Sequence, residues 1–198
     1  MNAAATTIKV LKQPTSTDWI DQAIANMDTI LLDRSHCEKK AAGNALRLIC
    51  RYPSHEKLVR QLTALAREEL EHFDMVNQIL QERGIPLKPL PPPPYGETLI
   101  SNVRGEEPKR CLDFLLVSAL IEARSHERLG LLGYHCPDEK LAKFYRGLMA
   151  SQARHYRIFW LLAVESFSRE EVDQRLDELA TVESDILSTL HPQPRIHS

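Results

Sequence analysis

The chain is short of glycine and of the residues that favour sheets. It holds seven glycines in 198 residues and few runs of β-branched side chains, while long stretches are rich in Ala, Leu, Glu, Arg and Lys. Sheet is disfavoured and an all-α protein is expected. Cysteine is sparse and dispersed (Cys37, Cys50, Cys111, Cys136), with no CxxC pair, so the four read as free thiols in a reducing compartment. Long apolar runs are missing too. The longest, "FLLVSALI", is too short to span a bilayer, and the start, "MNAAATTIKVLKQP", lacks the apolar core of a signal peptide. A cytoplasmic protein with no membrane partner is expected. Charge of neither sign dominates: the formal net charge is −2, whereas a dedicated DNA packager would be strongly basic, so no DNA partner is expected and only a local basic patch stays open.

What is present is helical punctuation. The length suits one domain with a sizeable core, residues 1–198, with loose termini at 1–15 and 191–198. "TSTDW" offers caps for a short helix, and a longer one should run from about Asp28 to Arg51, stopped by "RYPS". Ser54 precedes a long helical pattern closed by Gly84, a favoured C-terminal cap. The segment 85–97, "IPLKPLPPPPYGE", cannot be helical, because proline lacks the donor and clashes with the preceding turn. It reads as an extended connector able to cross the length of a bundle. Helix resumes near Pro108, a further one opens at Pro137–Asp138 and reaches about Glu165, and "SREE" caps a last one ending near Leu190. Two helix pairs joined by one long proline-rich crossover, with additional flanking helices, describe a ferritin-like four-helix bundle.

Acidic and imidazole side chains interrupt the apolar stripes of these helices. In "LAREELEHFDMV", Glu69 and His72 fall among Leu62, Leu65, Ala66, Phe73 and Val76, the residues that face inward. Glu38 shares a face with Leu31, Ser35, Ala42 and Ala45, and Glu122 shares one with Leu115, Ser118, Ala119 and Leu129. His155 lies with Leu148, Phe159 and Leu162, three residues after Gln152. Glu38 precedes Glu69 by 31 positions and Glu122 precedes Gln152 by 30, so the chain reads as two similar halves. Each half offers one acid on its first helix and a Glu/Gln-x-x-His turn on its second, which is how a bundle core holds a pair of iron ions.

Other polar residues read more plainly. His126 and Glu127 stand beside Glu122 as supporting contacts or as a solvated flank. His36, His55, His135, His191 and His197 lie near turns or ends and are expected at the surface. The aromatics of "FYRGLM" and "RIFW" recur at helical spacing, which predicts core packing.

These same stretches, "DRSHCEKKAAGNAL", "AREELEHFDMV", "PLPPPPYG", "LLVSALIEARSHERLGLL" and "LAKFYRGLMASQARHYRIF", resemble the tRNA-(2-methylthio-hydroxyisopentenyl adenosine) hydroxylases, commonly called MiaE, over nearly the whole chain. The resemblance implies a non-haem di-iron monooxygenase that hydroxylates the isopentenyl chain of a hypermodified adenosine next to the tRNA anticodon. Such an enzyme uses O2 as co-substrate and electrons from a reductase or ferredoxin. The family's metal ligands then fall on Glu38, Glu69, His72, Glu122 and His155. The sixth position departs from the pattern, with Gln152 where a Glu is expected; an amide offers only a neutral carbonyl oxygen. Breaking an unactivated C–H bond needs an oxidant that side chains do not supply, which fits a metal cofactor. The small residues Ser35, Ala42, Ala45, Ser118 and Ala119 leave room for O2 and a prenyl chain, or simply pack closely. Lys39, Lys40, Arg47, Arg51, Arg124, Arg128, Arg154 and Arg157 are candidate phosphate contacts. Two other readings stand beside this one: an iron-handling or peroxide-scavenging protein without organic substrate, and a metal-free helical module. The sequence leaves the oligomeric state open.

Overall fold

A computed structural model of the chain describes residues 8–198. Seven helices follow one another: α1 (Thr17–Ala25), α2 (Met27–Arg51), α3 (Glu56–Glu82), α4 (Tyr95–Ser101), α5 (Lys109–His135), α6 (Glu139–Ser166) and α7 (Arg169–Ile186), with no strand among the described residues. The chain forms two compact units. One comprises Asn26–Pro92 with Pro194–Ile196; the other comprises the chain up to Ala25, Pro93–Gln193 and His197–Ser198.

The first unit is the α2–α3 hairpin. Its core is the matched apolar stripes of Ile30, Leu31, Ala42, Ala45 and Leu48 on α2 and Leu58, Leu62, Leu65, Val76 and Leu80 on α3. At the end of α2 the Tyr52 N–H donates to the Leu48 carbonyl at 2.9 Å and Pro53 prevents continuation. At the end of α3, Gly84 adopts φ 68°, and the Gly84 and Ile85 N–H groups donate to the carbonyls of Gln81 (3.0 Å) and Leu80 (2.9 Å). That pair of bonds satisfies carbonyls the helix would otherwise leave open, and the left-handed turn explains why glycine stands there. Residues 85–93 then carry no regular structure.

The second unit packs α5 against α6, with α7, α4 and α1 on α5. Asp138 caps α6, accepting from the Lys140 and Leu141 N–H groups, and Ser168 caps α7, accepting from Glu171 N–H at 3.2 Å. Gly133 of α5 sits where α6 comes close: a Cβ built there would lie 2.6 Å from Arg146 Cγ and 3.3 Å from the Ala142 carbonyl.

Several expectations need correction. The C-terminal tail 191–198 is not loose: Arg195, Ile196, His197 and Ser198 are all buried. Ile196 N–H donates to Asp33 at 2.7 Å, and the Arg195 guanidinium donates to the Pro91 carbonyl at 3.0 and 3.1 Å. His197 stacks on Tyr95 with ring centroids 5.0 Å apart and lies 3.0 Å from Ser125 Oγ. A stretch with two prolines and no helical period gives no hint of such anchoring. Of the N-terminal stretch 1–15, residues 1–7 lie outside the described residues, while Leu11 is buried and Thr15 donates to Glu127 from both its N–H and its hydroxyl. The segment 85–97 is extended only up to its prolines, since α4 begins at Tyr95, where the proline run ends and the helical φ of Pro94 leads into a first turn. The last helix ends at Ile186 rather than near Leu190.

Candidate metal centre

In the α2–α3 hairpin, Glu38, Glu69 and His72 project from the buried stripe and each offers a donor atom lying within 4.8 Å of the others. All three are buried, Glu69 completely. His72 Nδ1 is 3.4 Å from Glu69 Oε2, one turn away on α3, and its Nε2 is 3.9 Å from Glu68 Oε1. Glu38 pairs with Arg34, one turn earlier on α2, at 2.5 Å, with both side chains only 1% exposed. Next to Glu38, burial pushes the Cys37 thiol well up, with Asp33 as a further cause. Ser35 Oγ donates to Asn77 Oδ1 at 2.7 Å and fixes α2 against α3 one turn from Glu38.

In the other unit, α5 brings Glu122 and α6 brings His155 to 3.9 Å (Glu122 Oε2 to Nδ1), with His155 fully buried. Gln152 is buried on α6, one turn before His155. The spacing read in the sequence is therefore matched by burial in all six cases. Buried carboxylates and imidazoles are costly to hold inside a helix pair unless a cation or hydrogen bonds compensate them. An oxygen donor set completed by imidazole nitrogen suits a metal cation of the harder kind rather than a thiolate-preferring one.

The surrounding residues separate into two groups. Ser35, Ala42, Ala45, Ser118 and Ala119 are all buried. His126 is buried rather than solvated, with its Nδ1 2.8 Å from the Met149 carbonyl, which ties α5 to α6 beside Glu122. Glu127 is also buried and pairs with Arg124, which in turn holds both oxygens of Glu183 at 2.8 and 2.9 Å. Tyr95 donates to the same Glu183 at 3.1 Å. Arg124 and Arg128 are thus interior residues and not phosphate contacts, whereas Lys39, Lys40, Arg47, Arg51, Arg154 and Arg157 are exposed. His36 and His197 are buried, contrary to expectation. His36 lies inside α2, not at a turn, and its Nε2 is 2.9 Å from the Lys88 carbonyl, a partner 52 positions away that no local pattern announces. Arg34 was legible in principle: it stands four residues before Glu38 on the same helical face.

With this geometry in hand, the comparisons with known proteins are specific. The family model described as tRNA-(MS[2]IO[6]A)-hydroxylase (MiaE) matches residues 2–198. The tRNA 2-(methylsulfanyl)-N(6)-isopentenyladenosine(37) hydroxylase of Pseudomonas putida is 38% identical over 185 residues, covering 93% of this chain and 90% of the relative. The protein of the same name from Salmonella typhimurium is 29% identical over 240 residues, covering 96% of this chain and 88% of the relative. Among solved structures, a Synechococcus protein described as having aldehyde deformylating oxygenase activity is 45% identical. It matches with a TM-score of 0.94 over 96% of each chain, and with it the all-helical architecture is ferritin-like. The chain belongs to the MiaE family of tRNA hydroxylases.

Proposed function

We propose that this chain hydroxylates the isopentenyl side chain of 2-methylthio-isopentenyl adenosine in tRNA, next to the anticodon, as a non-haem di-iron monooxygenase of the cytoplasm. The observation that carries the reading is the inward placement of Glu38, Glu69 and His72 in one helix pair and of Glu122 and His155 in the other, in a member of a hydroxylase family. The two units act together as one ferritin-like domain, and the proline-rich stretch 85–94 serves as its crossover. Glu38, Glu69, Glu122, His72 and His155 hold two irons, with Gln152 as a weak neutral donor.

Bound iron supplies the activation of O2 that side chains cannot. One oxygen atom enters the C–H bond and the other leaves as water, with two electrons delivered through a reductase or ferredoxin and two protons taken from solvent. The chain's own residues do the rest. The three carboxylates neutralise the cations, and the imidazoles offer nitrogen donors without adding charge. Arg34 holds the Glu38 carboxylate at 2.5 Å and limits the orientations it can take. The apolar walls of the helix pairs exclude water, which protects a reactive site from side reactions.

A strain lacking this protein should accumulate the unhydroxylated prenyl adenosine in its tRNA, and the purified protein with O2 and a reductant should convert it. Changing both His72 and His155 to Ala should abolish stoichiometric iron binding. An unchanged nucleoside profile in a strain that makes the precursor sinks the hydroxylase reading; full iron retention in the double variant sinks the ligand set. A second reading has one observation in its favour, the 45% identity to a protein with aldehyde deformylating oxygenase activity. Incubating the iron-loaded protein with aldehydes and reductant and assaying release of the formyl carbon tests it. Both readings act on an organic substrate, as do the named relatives, which disfavours an iron-handling role.

A further inference from the structure

The eight basic candidates divide unevenly once the structure is known. On α2, Lys39, Lys40, Arg47 and Arg51 are exposed, and on the adjoining α3 so are Lys57, Arg60 and Arg67. Between residues 39 and 67 a single carboxylate, Glu56, opposes these seven cations, in a chain whose net charge is −2. From Glu68 to Glu82 the sign reverses: five carboxylates and no Lys or Arg. Because α2 and α3 pack as one hairpin with a short turn, the cations lie on the turn half of both helices and the anions of α3 on its other half.

Spacing sharpens the picture. Lys40, Arg47 and Arg51 are separated by seven and four positions, and Arg60 and Arg67 by seven, so each set forms one stripe along its helix. At 100° per residue both stripes lie on the side opposite Glu38 and Glu69, on the outer face of the hairpin. An ordinary solvated face interleaves signs, because opposite charges three or four apart stabilise a helix and like charges do the reverse. No Asp or Glu stands three or four positions from Lys40, Arg47 or Arg51. The stripe from Lys40 to Arg51 runs about 16 Å along the axis, long enough to meet several successive phosphates.

The other unit offers a weaker match. On α6, Lys140, Lys143, Arg154 and Arg157 lie on a single helix, Arg146 is committed to Glu139 and the Gly133 carbonyl, and the neighbouring α7 brings Glu170, Glu171, Asp173 and Asp177.

We propose that the outer face of the α2–α3 hairpin, at its turn end, is the surface on which the ribose–phosphate backbone of tRNA docks. This rests on the hydroxylase reading and specifies its substrate interface. The affinity it supplies is electrostatic and independent of sequence, so it positions the anticodon arm rather than reading it.

The test compares two charge-matched triple variants. Lys40→Glu/Arg47→Glu/Arg51→Glu reverses the stripe, and Lys109→Glu/Lys140→Glu/Lys143→Glu makes the same change in net charge on exposed residues of the other unit. Binding to tRNA is measured by fluorescence anisotropy across a salt series, with KM and kcat for hydroxylation alongside. The stripe variant should bind more than tenfold weaker at physiological salt, with a log–log salt slope smaller by about three. Its KM for tRNA should rise while kcat at saturation holds. Equal affinities and slopes in the two variants, with wild-type hydroxylation of tRNA intact, overturn the surface alone. A wild-type protein that neither binds nor hydroxylates tRNA overturns the hydroxylase reading and this surface with it.

Discussion

At the scale of single residues, the informative position is the one that breaks the pattern. Gln152 is buried on α6 a turn before His155, in the place that Glu69 occupies before His72 on α3. An amide is a weaker metal donor than a carboxylate and adds no charge. Gln152→Glu should therefore bind iron at least as tightly and shift its potential downward, because added negative charge favours the oxidised metal. The iron-free variant should melt lower than the iron-free wild type, since a buried unpaired carboxylate is destabilising by several kcal/mol, of order 3. Potentiometry and thermal melts with and without iron check both halves of the argument, and unchanged potential and melts would place Gln152 away from the metal. Glu38, Glu69, His72, Glu122 and His155 were legible as buried because a 3.6-residue period assigns a face to each position. Arg34 beside Glu38 follows the same rule. Asp33 with Arg195, His36 with Lys88 and Tyr95 with Glu183 were not legible, because each joins residues far apart in sequence and periodicity carries no information about such pairs.

At the scale of elements, helix existence followed from propensity and punctuation, and the departures fell where chain ends and loops are held by tertiary contacts. Asp113 shows how one side chain fastens several elements. It is buried in α5 and accepts from Arg104, in the loop after α4, at 2.7 Å and from Arg175 of α7 at 2.9 Å. Arg175 also donates to the Asn102 carbonyl at 2.8 Å, so the loop, α5 and α7 share one node. Burial works to raise the carboxyl pKa of Asp113, but the two guanidiniums outweigh it and hold it below its ordinary 3.8. A depressed folded value means that the stabilisation is fully present above 3.8 and is lost as pH falls through the lower value in the folded protein. Asp113→Asn keeps the shape and removes the charge, and should lower stability by about 2–4 kcal/mol at neutral pH. Denaturant melts over a pH series should show the gap between wild type and variant closing on acidification below 3.8. A gap independent of pH would mean that the carboxylate charge contributes nothing.

At the scale of the whole molecule, the last five residues matter more than their composition suggests. Arg195 and Ile196 belong to the unit built on α2 and α3, and His197 and Ser198 to the unit built on α5 and α6. In the first, Ile196 is completely buried and its N–H donates to Asp33, while Arg195 lies 3.8 Å from the same carboxylate. Burial raises the pKa of Asp33, opposed by the Ile196 N–H, Arg195, Lys40 and His36. Ending the chain after Gln193 removes two of these compensating donors and the buried isoleucine together. The isoleucine alone is worth about 2 kcal/mol of apolar burial. Leaving Asp33 without those donors should bring the loss to roughly 4 kcal/mol or more, and Tm should fall by about 10 °C. The sign of the pH dependence is opposite to that of Asp113. A carboxyl whose folded pKa is raised costs stability as pH climbs from 3.8 through the folded value, and removing its donors enlarges that cost. The truncated protein should therefore be closest to wild type in acid, where Asp33 is protonated in both, and furthest from it at neutral pH. Parallel melts of the two chains at several pH values test this. A truncation penalty that stays constant across the range would assign the tail's contribution to contacts that do not involve the Asp33 charge, namely Ile196 packing, the Arg195 bonds to Pro91 and the stack of His197 on Tyr95, and a negligible penalty would show that the buried tail adds nothing to stability.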